Sequence, residues 1–255
     1  MTHSLPQSAL DVIDGYLKLM AAENTYVRCP YFRNPRSGRE RWGLAVYSGK
    51  GSCREIEQEL KIIEKLEGRD FSTMRQDDIR DIMKKRKLGI ECSGFITRML
   101  DGWTRAYYKK PVYSLIQFSA SGLYWLFCKL RPYTHIDVPT LVHPKNARPL
   151  NEAEGIMPGD IIRFNSNIDH AGLITEVMLD QNCSMQKVSY AQSVFEDVNE
   201  GVKRGTIEFT NPQKKDLMAQ TWSEVPSTGH TIAEKGKPQI YRLFIFERAK
   251  LWEKC

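Results

Sequence analysis

The chain has 255 residues, of which 41% are hydrophobic and 27% charged, a composition typical of globular proteins that excludes a disordered one. The formal charge of +6 favours anionic partners, but no nucleic-acid-binding motif accompanies it, so we predict no nucleic-acid partner. No run of about 18 apolar residues occurs, and residues 1–24 lack the pattern of a signal peptide. We therefore predict no membrane insertion and favour a cytoplasmic location, with association with a cell wall as the alternative.

The N-terminal part of the chain is mainly helical in its pattern. Apolar residues at helical spacing predict helices over residues 8–22, 55–66 and 77–87, and alternation predicts a short strand over 42–47. The segment Gly49-Lys50-Gly51-Ser52 lacks the first glycine of a phosphate-binding loop. We interpret it as a turn whose serine caps the next helix.

The stretch around Cys92 is the main candidate for a functional site. It follows a charged run, 84–87, and opens an apolar segment with helical spacing, so Cys92 is predicted on the first turn of a helix. The unpaired N–H groups and the dipole at that end lower the pKa of a thiol and favour the reactive thiolate. The alternative is a small buried cysteine in an amphipathic helix.

The second half of the chain changes from helical to strand patterns. Residues 113–130 are aromatic and apolar and predict a helix or helix pair packed over the domain, followed by a proline-dotted loop, 131–149. Alternating apolar segments then predict strands over 171–178, 187–193, 205–209 and 239–247. A helix followed by antiparallel strands indicates an α+β fold.

The remaining cysteines and the loop histidines give no sign of a metal site. Six cysteines occur without a CxxC pair or a regular spacing, which argues against zinc and a disulfide framework and favours a reducing compartment. We expect no metal and no cofactor. Two histidines without a partner at ligand spacing are interpreted as surface residues, and five cysteines as core or surface thiols: His135 and His143; Cys29, Cys53, Cys128, Cys183 and Cys255.

Two motifs resemble those of the NlpC/P60 cysteine peptidases. The segment Glu91-Cys92-Ser93-Gly94-Phe95 is similar to that family's nucleophile motif, in which the first residue is usually Asp. Pro158-Gly159-Asp160, a predicted strand and His170 follow in the family's order. The resemblance covers residues 89 to about 193. It implies a papain-like α+β fold in one domain, 1–255, with an N-terminal helical addition, 1–88, and a catalytic core, 89–255, that carries an insertion, 101–150.

The resemblance also implies the roles of individual residues. Cys92 would be the nucleophile, His170 its base, and a polar residue on the next strand would orient the histidine. Gln192 and Tyr190 point the same way on that strand. We choose Gln192, whose amide oxygen can accept the imidazole N–H, with Tyr190 as the alternative. Substrate-binding residues are predicted to be Tyr31, Ser93, Asp169 and Tyr190.

The implied activity is hydrolysis of an amide bond after D-glutamate in a peptidoglycan stem peptide. The expected partner is therefore a stem peptide or muropeptide, and the protein is expected to be a monomer. Two alternatives stay open. One is a papain-like acyltransferase or amidase acting on another small substrate, and the other is a catalytically silent binding module.

Overall fold

The computed structural model describes residues 1–33, 44–119, 121–150, 155–165, 169–195, 200–211, 216–223 and 237–249. Within these ranges the protein is a mixed α+β structure with one large antiparallel sheet. The α+β prediction is confirmed at that level. Cys255, interpreted above as a core or surface thiol, lies outside the described residues.

The helices lie mostly in the first 141 residues. They are α1 (Gln7–Leu17), α2 (Cys53–Glu67), α3 (Gln76–Lys85), α4 (Cys92–Tyr108), α5 (Gly122–Leu130), α6 (Pro132–His135), α7 (Val138–Leu141) and α8 (Phe244–Ala249). Single turns of 3-10 helix cover Ala45–Ser48, Phe71–Thr73, Val112–Ser114 and Leu217–Ala219.

The large sheet is built mainly from the second half of the chain. Its strands are β1 (Thr2–Ser4), β4 (Ala147–Leu150), β5 (Ile161–Asn165), β6 (Asp169–Leu179), β7 (Met185–Val194), β8 (Gly201–Glu208), β9 (Thr221–Trp222) and β10 (Lys237–Leu243). The order is β4-β10-β5-β6-β7-β8-β9, and β1 pairs with the far end of β6. A separate hairpin joins β2 (Leu19–Ala22) to β3 (Thr25–Val27).

The two faces of the sheet carry separate hydrophobic cores. Side chains alternate between faces along each strand, so neighbouring residues enter different cores. Ala171, Leu173 and Ala191 face α4 and pack into the larger core with its Phe95. On the opposite face lies the second core, with Ile162, Phe164, Ile174, Tyr190 and Trp222.

Several predicted elements differ from the structure. The first helix ends at Leu17, because residues 19–22 form strand β2 of the hairpin. Residues 45–48 form a 3-10 turn where a strand was predicted. The segment 131–149 is not a plain loop, since it contains α6, α7 and the start of β4, and 244–247 belong to α8.

The aromatic segment 113–130 differs most from its prediction. Only its second half forms the helix α5, and that helix is not packed over the domain. Among the side chains of α5, only Cys128 is buried. In the described part of the chain, no helix is both long and apolar enough to span a bilayer.

Candidate active site

Cys92 is the first helical residue of α4. Glu91 is the N-cap, and the first intrahelical hydrogen bond runs from the Phe95 N–H to the Glu91 carbonyl, at 2.9 Å. The N–H groups of residues 92–94 therefore precede the hydrogen-bond ladder of the helix. The start of α4 packs closely against the Gly49 carbonyl oxygen. A Cβ atom at Gly94 would lie only 2.2 Å from that oxygen, so the contact requires glycine. Cys92 itself is only 5% exposed.

The sulfur of Cys92 contacts the backbone on both sides of His170. Its thiol points to the carbonyl oxygen of Asp169 at 4.0 Å, and the N–H of Ala171 donates a hydrogen bond to it. The paired register between β6 and β7 begins at Gly172 and Gln192, one residue beyond this contact. The thiol thus lies where the two strands separate, next to the predicted base.

His170 and Gln192 form a direct hydrogen bond. His170 Nε2 lies 2.6 Å from Gln192 Oε1, and Gln192 is fully buried. The ring of Phe164 stacks on the imidazole with centroids 5.5 Å apart, which restricts the ring's orientation. Because an amide oxygen only accepts, the bonded Nε2 carries the proton, and Nδ1 is the basic nitrogen of the neutral ring.

Tyr190 occupies a different environment from Gln192. Its backbone pairs with Ile174, and its ring packs edge-on against Trp222 at a centroid distance of 5.6 Å. The side chain is completely buried in the second core. A substrate-binding role for Tyr190 therefore conflicts with its burial, and its contacts are those of a core aromatic residue.

Tyr31 lies near the thiol despite its distance in sequence. Its backbone forms an isolated parallel bridge with Ile90, and its ring is 5.4 Å from that of Phe195. Burial raises the pKa of the Tyr31 phenol, and the negative charges of Cys92 and Glu91 raise it further. Tyr31 remains a candidate for lining the substrate site.

The other two predicted substrate-binding residues have internal partners. Both carboxylate oxygens of Asp169 bind Arg163, at 2.8 and 3.0 Å, so only its backbone faces the thiol. Ser93 is 2% exposed, and its hydroxyl donates to Glu91 Oε1 at 2.8 Å. The hydroxyl of Ser93 is thus held by an internal partner, Glu91, and its role in substrate binding stays a prediction.

A buried ionic cluster stands beside the nucleophile. Lys50 is 4% exposed, and its ammonium group forms an ion pair with Glu91. The same ammonium donates to Ser93 Oγ at 2.5 Å and to the Ile136 carbonyl at 2.6 Å. Three acceptors therefore surround one cation, the condition under which a buried charge is tolerated. We refer to Lys50, Glu91 and Ser93 as the ionic cluster.

The thiol of Cys92 is not acidified by its position. Burial raises its pKa to about 11, and the negative charge of Glu91 acts in the same direction. Lys50 and the N–H groups of Ala171 and Ser93 oppose this increase but do not cancel it. The expectation that the helix start lowers the pKa is therefore wrong, because desolvation outweighs the helix end. A thiol of this kind needs a base to become nucleophilic.

The Pro-Gly-Asp turn has a structural explanation. Asp160 accepts the Met157 N–H at 2.8 Å and binds Arg242 of β10 through both oxygens, at 2.9 and 2.7 Å. Burial raises the pKa of Asp160, although Arg242 opposes the increase. At Gly159, with φ of 94°, a side chain would collide with the ring of Phe246. The turn therefore fixes where β5 begins, and the Asp160–Arg242 ion pair links the start of β5 to β10.

The other cysteines and His135 lie in environments that partly differ from their predictions. Cys29, Cys53 and Cys128 form no disulfide, whereas Cys183 is disulfide-bonded, so its interpretation as a thiol is wrong. His135 is buried, not on the surface. In the ranges the structure describes, no group of three or more His, Cys, Asp or Glu residues could hold a metal ion.

Sequence reasoning missed Lys50 as part of the site. It lies 42 positions before the nucleophile, in a turn that was interpreted only as a helix cap. A buried acid requires a cation nearby, but no local pattern in the sequence relates Glu91 to Lys50.

Comparisons with models of known protein families, with curated proteins and with solved structures give no match.

Proposed function

We propose that this protein is a cysteine hydrolase that cleaves an amide bond in peptidoglycan-type peptides, with a papain-like arrangement of Cys92, His170 and Gln192. The observation that carries the proposal is the 2.6 Å hydrogen bond between His170 and Gln192, together with the contacts of the Cys92 sulfur with the backbone of Asp169 and Ala171 on either side of His170. A histidine oriented by an amide and adjacent to a thiol is the arrangement that nucleophilic catalysis by cysteine requires.

Each residue has a chemical role in this proposal. His170 Nδ1 takes the thiol proton as the sulfur attacks the substrate carbonyl carbon. The Cys92 N–H, which precedes the helix ladder, is placed to stabilise the oxyanion. The C–N bond then breaks, and the leaving amine takes the proton from His170. Water hydrolyses the thioester, which releases the acid and restores the thiol.

The raised pKa of the thiol agrees with a base-assisted mechanism. A thiol with a pKa of about 11 is almost entirely protonated at neutral pH, so it reacts only when the proton is removed during attack. Gln192 favours this step because it holds one imidazole nitrogen and directs the other away from itself. The substrate class rests on the motif resemblance described above.

The test is digestion of purified muropeptides that contain a D-Glu–diamino acid bond, followed by mass spectrometry of the products. We expect cleavage by the wild type and none by Cys92→Ala. The matched control is Cys53→Ala, since Cys53 also begins a helix, and this variant should retain full activity.

Three results would contradict the proposal. Cleavage that persists in Cys92→Ala would exclude Cys92 as the nucleophile. Absence of cleavage of every stem peptide, together with Cys92-dependent turnover of an ester or acyl donor, would identify an acyltransferase instead. If the wild type turns over neither peptides nor esters, the protein is a silent binding module.

A further inference from the structure

Helix α5 exposes an unusual amount of apolar surface. Six of its nine residues are large apolar or aromatic side chains with exposures of 44–75%: Leu123, Tyr124, Trp125, Leu126, Phe127 and Leu130. Five of these are consecutive, so the exposed surface extends around most of the helix. Contiguous apolar surface of this kind marks an interaction site with another molecule or with a lipid surface.

The charge of the surrounding segment is strongly positive. Residues 101–150 contain seven Lys and Arg against two Asp, a formal +5 of the chain's +6. No acidic residue occurs from 102 to 136. On the helix itself Lys129 is exposed and lies 5.5 Å from the centre of the Trp125 ring, and Arg131 follows as the exposed C-cap.

We propose that α5 docks the protein onto an anionic lipid surface, lying in the interface without spanning it. Leucine and phenylalanine side chains can enter the boundary of the acyl chains, and tryptophan and tyrosine prefer the level of the headgroups. Lysine and arginine at the end of the helix meet the negative lipid headgroups. Helix α5 has nine residues, too few to span a bilayer. Its length is compatible with interfacial binding, because that binding depends on the exposed apolar area and the charge of a helix and not on its length.

A second copy of the chain fits this surface less well. Two copies joined through α5 would bring the positive charges of Lys129 and Arg131 from both helices together, which opposes association. A dimer helix also typically buries one apolar stripe and keeps the opposite face polar. In α5 the consecutive residues 123–127 are all apolar or aromatic, so an apolar environment around most of the helix suits them better.

The helix is close to the candidate active site. The ring of Tyr124 packs against His135 at a centroid distance of 5.4 Å. The next residue, Ile136, gives its carbonyl to Lys50 of the ionic cluster. Docking through α5 would therefore hold the Cys92 region near the lipid surface. Lipid binding itself does not depend on the proposed hydrolase activity.

The experiment is co-sedimentation of the full chain with two kinds of vesicle, phosphatidylcholine alone and roughly three parts phosphatidylcholine to one part phosphatidylglycerol. We expect clear binding to the anionic vesicles and at least tenfold weaker binding to the neutral ones. The variant Trp125→Ser/Leu126→Ser should weaken anionic binding at least tenfold, because both side chains are solvent-exposed and their loss leaves the core intact. Lys129→Gln/Arg131→Gln should weaken it by about fivefold for each charge removed.

The matched control is Ile62→Ser/Leu66→Ser, which removes two exposed apolar residues from α2. This variant and Cys92→Ala should bind like the wild type, so failure of the hydrolase proposal leaves this result unchanged. Equal binding by wild type and the Trp125/Leu126 variant would overturn the proposal, as would no binding to either vesicle. Sedimentation equilibrium that shows a dimer lost in the Trp125/Leu126 variant would overturn it in favour of a second copy.

Discussion

Two helices of this protein begin with a cysteine, and their starts differ. Ser52 caps α2 in a capping box with Glu55, and the half-buried Cys53 thiol behind it donates a hydrogen bond to the Val12 carbonyl at 3.9 Å. Glu91 gives α4 no side-chain cap; its carboxylate binds Lys50, and the Cys92 thiol adjoins the His170 backbone.

The pKa of both thiols is raised, to about 12 for Cys53 and about 11 for Cys92, with burial as the first cause in each case. A helix start therefore does not make a cysteine reactive in this protein. What distinguishes Cys92 is its neighbours: a hydrogen-bonded histidine on the sheet and a buried ion pair behind the helix. Changes to these neighbours should separate catalysis from stability.

Replacing His170 by Ala should have the largest effect. Without a base the Cys92 thiol stays protonated at neutral pH, so kcat/KM for muropeptide cleavage should fall by about 10²- to 10⁴-fold. The melting temperature should change little, since His170 is only half-buried. The matched control is His143→Ala, a half-buried histidine bonded to Ser119, which should keep full activity. Wild-type activity in His170→Ala would refute the role of the base.

Replacing Lys50 by Met should lower the free energy of unfolding strongly, whereas kcat per folded molecule should change less. The Glu91 carboxylate would then be buried without a cation, a change that typically costs about 3–5 kcal/mol of unfolding free energy, measurable by urea denaturation. Adding Glu91→Gln to this variant should restore much of the loss.

Lys84→Met provides the control for Lys50. Its ion pairs with Asp81 and Glu200 are partly exposed, so its loss should change stability by less than about 1 kcal/mol. If the double variant Lys50→Met/Glu91→Gln is no more stable than Lys50→Met alone, unpaired charge is not the reason for the destabilisation.

The buried thiol should make stability depend on alkaline pH. The folded pKa of Cys92 is about 11 against 9.0 for a free thiol, so the folded state holds the proton more tightly. The resulting stabilisation is complete below pH 9 and is lost as the pH rises through 11. Between about pH 8 and 10.5 the wild type should therefore lose about 2 kcal/mol more than Cys92→Ala. Parallel curves for the two proteins would contradict the raised pKa.

Changing Gln192 should have the smallest effect on turnover. In Gln192→Ala the imidazole loses its orienting acceptor but keeps its basicity, so kcat/KM should fall about tenfold. Gln192→His should retain more activity than Gln192→Ala, because a second imidazole can also hold His170. Tyr190→Phe, which removes only a hydroxyl, should be neutral. A large loss in Tyr190→Phe with none in Gln192→Ala would make Tyr190 the orienting residue.

The sequence predicted local elements better than the contacts between distant ones. Helical periodicity correctly located α2, α3 and the start of α4, and alternation located β6 and β7, because both patterns are local. Alternation along the strand placed Gln192 and Tyr190 on one face, and the choice of Gln192 followed from its amide oxygen, which can accept the imidazole N–H. The structure brings Gln192 to His170, but its catalytic role remains a prediction.

What the sequence could not predict depends on contacts across the fold. The ion pair of Lys50 with Glu91 joins residues that no local pattern relates, and the burial behind the raised pKa of Cys92 comes from packing of several elements. The exposure of α5 was mispredicted for a related reason. An apolar helix is normally buried, and only the tertiary arrangement shows that most of the large apolar side chains of α5 stay exposed.

Strand β10 has a consequence for synthesis of the protein. It lies between β4 and β5, and its Arg242 holds Asp160 at the turn into β5. Strand β6, which carries His170, pairs with β5. Contacts between residues so far apart in sequence form late in folding. A nascent chain on the ribosome therefore cannot complete the sheet around His170 until residues 237–243 have emerged from the exit tunnel, and until then the edge of β5 is open to other chains.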